Sequence, residues 1–411
     1  MSDMNPLKPD FHFNWRDILS APASALRLKK IFLGALSLLA ALLIYNIFTY
    51  LAVWASGGSA SYLFGAEDIF PFSDVRIDAG PARILYGFGI GASIFCVMFG
   101  MLAISLINIE ELRGHRLASA TDGLRFAFWR IRELFYAELS LMALILFLVA
   151  LLAGLGLAIK IPYVGESLFA LLFLFPGFPI GLFLTLVILV MLASFFILPA
   201  AVSVDKKGET FTCLLETFST LMRQPFRWVG YTVASLLSGK LCVWILAGIS
   251  VISIDLIVAT TARFDLNGAA SLYRDGLSHL PFHSWLVQFT LQLVPGVDTP
   301  FDFSARAVFP FIPKFTNDSF GSYVMSGSIL LIFSYIWGYG VSIIATSQSY
   351  AYVIIRKLRD DYDVTAEDPL YLQKEWMNPP IDEQFPEKRD TGDEPNDSTQ
   401  VADDRLDDNE I

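Results

Sequence analysis

Lys240 interrupts the apolar run "SLLSGKLCVWIL" between Ser235 and Leu246, and of the residues in this chain that could do chemistry it is the most conspicuous. Counting from Trp228 at 1.5 Å per residue places it roughly 18 Å into an apolar layer about 30 Å thick. A cation at that depth costs at least about 2.5–3.5 kcal/mol, so Lys240 must face protein or water, or lose its charge by desolvation. Two roles are open. It is either a structural lysine held by Glu138, Ser235 or Ser238, or a functional intramembrane cation. Glu138 lies about one turn inside its own apolar run, so a Lys240–Glu138 pair requires the lysine to reach toward the boundary.

A second set of polar residues recurs every three or four positions near the end of the apolar sequence: Tyr335, Gly338, Ser342, Thr346 and Ser349, with Gln348 beside them. On a helix these form one small, polar stripe. Small residues let helix backbones approach and hydroxyls bond across the contact; alternatively, the stripe walls a polar pathway that includes Lys240. "FLFPGFPIG" places Pro176, Gly177 and Pro179 where a helix must kink or break. Such a break can form a transporter site at mid-membrane, or mark the outer interface of a long span, which its position favours. His279 and His283 have metal-ligand spacing with Asp275 nearby, but Pro281 lies between them and no further Cys/His group completes a set, so no metal is expected. The chain contains no glycine-rich phosphate loop, nucleophile elbow or HExxH helix, so no catalytic residues and no cofactor are expected.

The elements that position these residues follow from hydropathy. Of the 411 residues 55% are hydrophobic, more than a water-exposed surface allows. Six runs exceed the length of a membrane span, at about 31–54, 84–108, 134–159, 168–202, 228–253 and 324–355. The first follows Lys29 and Lys30, is longer than a signal-peptide core and has no clear cleavage pattern after it, so a retained helix is expected. The fold class is thus all-α: a polytopic membrane helical bundle with about six transmembrane helices, and the lipid bilayer is its first partner. Sixteen Lys and Arg fall near one set of helix ends and seven on the other side. That asymmetry predicts both termini to be cytoplasmic, with an even number of crossings.

Residues 1–30 mix aromatic and basic side chains and read as a cytoplasmic interfacial lead-in to a transmembrane domain over 31–359. Two internal connections read as cytoplasmic amphipathic elbow helices. One places Leu117, Ala120, Leu124, Phe128 and Ile131 on a single face; the other does so with Phe211, Leu214, Leu215, Phe218, Leu221 and Met222 before Pro225. The two share a pattern at an offset of 94 residues: Arg113-Gly114 and Lys207-Gly208, then Asp122 and Glu216, then Arg130/Arg132 and Arg223/Arg227. A degenerate duplication of a crossing–elbow–crossing unit is expected. This layout, over roughly 84–260, resembles that of uncharacterised bacterial multi-pass membrane proteins, and is similar to the membrane domain accompanying some glycerophosphodiesterases. The resemblance implies a helical membrane bundle and carries no catalytic residues over.

Between the last two spans, about 262–323 is too apolar for a linker and is expected to cap the outer face. From Asp360 to Ile411, 18 acidic residues stand against four basic ones, a net of −14 out of the chain's −11, which leaves the rest at +3. The tail over 360–411 is expected to be disordered, and to be either inert or a segment for a basic partner. The membrane part is only mildly basic, and its cations lie at helix ends, so no nucleic-acid binding is expected. Cys96, Cys213 and Cys242 have no paired spacing and read as small buried hydrophobes.

Three classes of function are compatible with this pattern. The favoured one is a non-enzymatic membrane component assisting partners or lipids, through the elbow helices or the acidic tail. A transporter or channel would use Lys240, the stripe and the helix break. A lipid-modifying intramembrane enzyme would need acid and base groups converging near one interface.

Overall fold

The computed structural model describes residues 11–58, 80–115, 118–205, 209–262, 268–280 and 319–366. The chain divides into two compact units, Met1–Pro369 and Leu370–Ile411, and the second lies outside the described residues. Every regular element among the described residues is helical. Among the described residues six helices are long and apolar enough to cross a membrane, and the protein is a multi-pass, all-α membrane bundle.

In chain order the helices are α1 (Trp15–Ala25), α2 (Leu28–Ala55), α3 (Gly80–Leu112), α4 (Ala120–Trp129), α5 (Ile131–Gly156), α6 (Gly165–Leu172), α7 (Phe178–Val204), α8 (Thr210–Arg223), α9 (Pro225–Ala262), α10 (Gly268–Ser278) and α11 (Phe320–Asp360). Helices α3, α7 and α11 pack against one another at the centre. Helix α2 lies against α3 and α11, α5 against α7, and α9 against α11. Ion pairs join the segments beside α1, α3, α5, α8 and α11 at one end, here termed the base.

Local sequence accounts for several boundaries. Asn14 caps α1 in a reciprocal box with Asp17, and Ser119 caps α4 in the same way with Asp122. Gly114, at φ +99°, supplies the left-handed turn after α3. Pro225 opens α9, where its missing N–H is no loss. The expected lead-in is itself a helix docked into the bundle, with Ile18, Ala21, Pro22 and Ala25 of α1 buried. At the other terminus α11 runs to Asp360, and Val364 just beyond it is fully buried in the same core. The acidic tail from residue 367 onward lies outside the described residues.

The break in the fourth span sits between α6 and α7. Backbone geometry leaves the helix at Phe175 (φ −147°, ψ 118°), just before Pro176. Helix α7 alone has 27 residues, about 40 Å at 1.5 Å each, which exceeds the apolar layer. The break therefore falls at the far end of the span from the base, and the exposed Phe173, Leu174, Phe175 and Phe178 surround it. Of the expected outer cap, α10 is described and packs against α11 and α9; residues 281–318, which include His283, lie outside the described residues.

Both elbows are helices; the expected face of the second packs inward through Leu221, Leu214 and Phe218, whereas none of the first elbow's expected face is among its buried residues. In α4 the buried residues are Gly123, Phe126 and Ala127, whereas Phe128 is 65% exposed. A Cβ on Gly123 would stand 2.8 Å from the Ala103 carbonyl oxygen of α3, so this glycine sets how closely the elbow seats. In α8 the buried residues are Cys213, Thr217, Thr220 and Leu221, with Phe211 69% exposed. Contact with the bundle thus combines the large apolar Phe126 and Leu221 with the small or weakly polar Gly123, Ala127, Cys213, Thr217 and Thr220. Burial pushes the Cys213 thiol up to about 12, with the neighbouring Asp205 acting in the same direction, so it remains neutral against α8's partners.

Candidate functional site

The polar stripe of α11 is the spine of the bundle, and nearly all of it is consumed by neighbouring helices. The last carbonyls of α1 have no intrahelical donor. Tyr339 donates to the Pro22 carbonyl and Ser342 to the Ala25 carbonyl, each at 3.0 Å, so α11 caps the end of α1. Tyr350 donates to Ser24 Oγ at 3.0 Å. Deeper toward the base, Thr346 donates to Asn108 Oδ1 of α3 at 3.3 Å, while Asn108 Nδ2 donates to Ser349 Oγ at 3.5 Å. On the opposite flank Gln348 accepts from Trp228 Nε1 at 3.1 Å and donates to Thr232 Oγ1 at 3.0 Å, tying α9 to α11. Ser235 and Ser347 share a further hydroxyl contact between the same helices.

Gly338 lies where α2 crosses α11, with its backbone against Gly34, Ala35 and Ile31. Tyr335 is the exception in the expected stripe: it is exposed, one step around the helix from the buried residues. Its three- and four-residue spacing placed it on the stripe, but the small residues that fit the α2 crossing begin only at Gly338.

Lys240 is half-buried on α9, about 22 Å from Pro225 along the helix axis. Its candidate partners are engaged elsewhere. Glu138 on α5 accepts from Ser194 Oγ of α7 at 2.6 Å, Ser238 donates to the Ser235 carbonyl at 3.1 Å, and Ser235 meets Ser347. The fold puts Glu138 and Lys240 on separate peripheral helices, one packed on α7 and the other on α11, so the expected pair is not formed. Among the described residues no hydrogen bond or ion pair holds Lys240. Lys240→Met should therefore leave the thermal unfolding midpoint in mild detergent unchanged or raise it, since it removes a charge from an apolar helix without breaking a bond. A clear drop in the midpoint would contradict this arrangement.

The densest charge chemistry lies at the base, in residues that the sequence presents only as topology signals. Glu111, near the end of α3, meets Arg27 at 2.6 Å, Lys29 at 2.8 Å and Lys30 at 2.8 Å. The Lys30 side chain is 0% exposed and also donates to Ser24 Oγ at 3.0 Å and the Ser24 carbonyl at 3.2 Å. Lys29 donates to the Ala118 carbonyl at 2.8 Å, joining the start of α2 to the segment before α4. Beside this cluster Glu110 holds Arg113 at 3.2 Å, and the buried Arg113 reaches the Val364 carbonyl at 3.4 Å. Arg130 is buried between α4 and α5, pairs with Glu133 at 3.5 Å and donates to the Asp205 carbonyl at 3.2 Å. Arg359 pairs with Glu216 of α8 at 2.5 Å and donates through Nε to Asp360 at 2.7 Å.

These contacts show that the two elbows differ in their polar chemistry. Asp122 is spent on capping α4, whereas the residue aligned with it, Glu216, anchors α11 through Arg359. Arg130 is buried and Arg223 is exposed. Lys207 and Gly208 lie outside the described residues. His279 is buried, with Nε2 3.2 Å from Ser322 Oγ and its ring stacked on Tyr323 at 4.5 Å, so it serves the contact between α10 and α11.

The arrangement is suited to holding helices in register. No protein-family model, no curated protein and no solved structure matches the chain.

Proposed function

We propose that this protein is a non-enzymatic component of the bacterial inner membrane, with both termini in the cytoplasm, that assists other proteins or lipids from its basic end. The observation that carries the proposal is the use of the α11 stripe: Tyr339, Ser342, Thr346, Ser347, Gln348 and Ser349 are all buried and bonded to α1, α3, α9 or their own backbone. Polar groups that saturate one another bind helices together and leave little to offer a travelling solute. The outward faces of α4 and α8, with Phe128, Phe211 and Leu215 exposed, supply surface at the same end for contact with lipid or a partner.

Cysteine accessibility tests the proposal. In a background with the three native cysteines replaced by alanine, Ser342→Cys and Thr346→Cys should resist a membrane-impermeant maleimide from both sides of the membrane. Rapid labelling of both from the aqueous phase would mean that a wetted path follows the stripe.

A transporter or channel is the second reading, and the half-buried, unbonded Lys240 is the observation that favours it. A path that reached Lys240 without entering the stripe would run along the flank of α9, so Lys240→Cys belongs in the same labelling series. A lipid-modifying enzyme receives no comparable support from the arrangement of acids and bases.

A further inference from the structure

The corner where α1 turns into α2 combines excess positive charge with an outward apolar ridge. Glu111 offers one negative charge to three cations, Arg27, Lys29 and Lys30. Lys30 and Glu111 are buried and hold the cluster rigid, whereas the Arg27 side chain is 44% exposed. A guanidinium has five N–H donors, and the contact with Glu111 is made through Nη1. Arg27 stands between two exposed leucines, Leu26 and Leu28, the latter 77% exposed. From Leu28 the exposed positions continue along α2 at four-residue spacing through Phe32 and Leu36, a strip facing away from the bundle on a helix of membrane-spanning length.

We infer that this corner binds the headgroup phosphate of an anionic phospholipid, with an acyl chain lying along Leu28, Phe32 and Leu36. A planar, weakly hydrated guanidinium matches phosphate oxygens in a fork, and its position at the edge of an apolar strip is where a headgroup meets its chains. Excess positive charge selects lipids with net negative charge over zwitterionic ones. The Glu111 carboxylate keeps the cations from dispersing while neutralising only one of them. The site does not depend on whether the α11 stripe conducts, because it uses none of the stripe's residues.

The test is the thermal unfolding midpoint of the full chain in mild detergent, with added phosphatidylglycerol, phosphatidylcholine or inorganic phosphate. Phosphatidylglycerol should raise the midpoint; at about 100 times its dissociation constant, mass action shifts the folded-to-unfolded ratio by roughly 100-fold. Phosphatidylcholine and inorganic phosphate should do much less. Arg27→Gln should lose the phosphatidylglycerol effect, whereas Arg16→Gln, at an exposed arginine on α1, should keep it. An equal rise with phosphatidylcholine, an equal rise with inorganic phosphate, or a full response in Arg27→Gln would each overturn the inference. If Arg27→Gln does not fold, native mass spectrometry of the parent in an equimolar mixture of the two lipids decides the matter: preferential retention of phosphatidylglycerol supports the site, and equal retention overturns it.

Discussion

Glu111→Ala is expected to destabilise the bundle by about 3–5 kcal/mol, the range for stranding one partner of a buried ion pair. The reason lies with Lys30, whose fully buried ammonium keeps its two contacts with Ser24 but loses its counter-charge. Arg27 and Lys29 are partly exposed and can turn to water or lipid headgroups, so their share of the loss is smaller. The expected result is a large drop in the unfolding midpoint in mild detergent, together with reduced yield of folded protein. A double variant, Lys30→Met with Glu111→Met, isolates the cause. It removes both charges from a site already closed to water, and should recover most of the lost stability. If the double variant were as unstable as Glu111→Ala, the loss would come from packing around α3 and not from a stranded lysine.

The second large effect is expected at the α2–α11 crossing. Gly34 and Gly338 oppose each other there, and a Cβ on Gly338 would collide with the Ala35 backbone and stand 2.7 Å from the Ile31 carbonyl oxygen. These obstacles are backbone atoms, which cannot rotate aside, so a bulky side chain must push the two helices apart. Gly338→Leu should therefore cost about 3 kcal/mol, at the upper end of overpacking effects. Separation of the helices would also stretch the bonds from Tyr339 and Ser342 to the end of α1. Gly327→Leu provides the control, because a Cβ at Gly327, on the same helix, meets nothing within 4 Å. Limited proteolysis between α1 and α2 and the unfolding midpoint should both report the Gly338 substitution and be nearly unmoved by the Gly327 one. Similar behaviour of the two variants would show that the crossing tolerates separation.

How much of this could be read in advance depended on which solvent each residue type reports. Span number, span position and the class of fold were legible because about 20 consecutive apolar residues are required to cross a bilayer, whatever the packing. The α11 stripe was legible for a related reason: small and polar residues on an apolar helix must find protein partners. The elbow faces were legible only in part: Leu221, Leu214 and Phe218 of α8 pack on the core as their spacing indicates, whereas Phe128 of α4 and Phe211 of α8 are exposed. Small and weakly polar residues such as Gly123, Cys213 and Thr217 are buried beside Phe126 and Leu221, and a count of apolar positions does not select them.

The base cluster was hidden for another reason. Arg27, Lys29, Lys30, Arg113 and Arg130 carry the asymmetry that orients a membrane protein, and that role uses their number and side of the membrane without regard to partners. Nothing in the spacing of Glu111 and Lys30, 81 positions apart, indicates that one neutralises the other. The same limit applies to Lys240 and Glu138, whose charges are opposite but whose helices pack on different partners, α9 on α11 and α5 on α7.

By itself the sequence determined that this chain is a helical bundle in a membrane, because the hydrophobic length of each segment and the need to satisfy its backbone leave few other structures. The tertiary structure decided which polar groups meet. Helix rotation and crossing contacts placed the hydroxyls of α11 on the ends and flanks of α1, α3 and α9, gathered three cations around Glu111, and left Lys240 without a bond among the described residues. Those pairings arise from packing between segments far apart in the chain, and local composition carries no record of them.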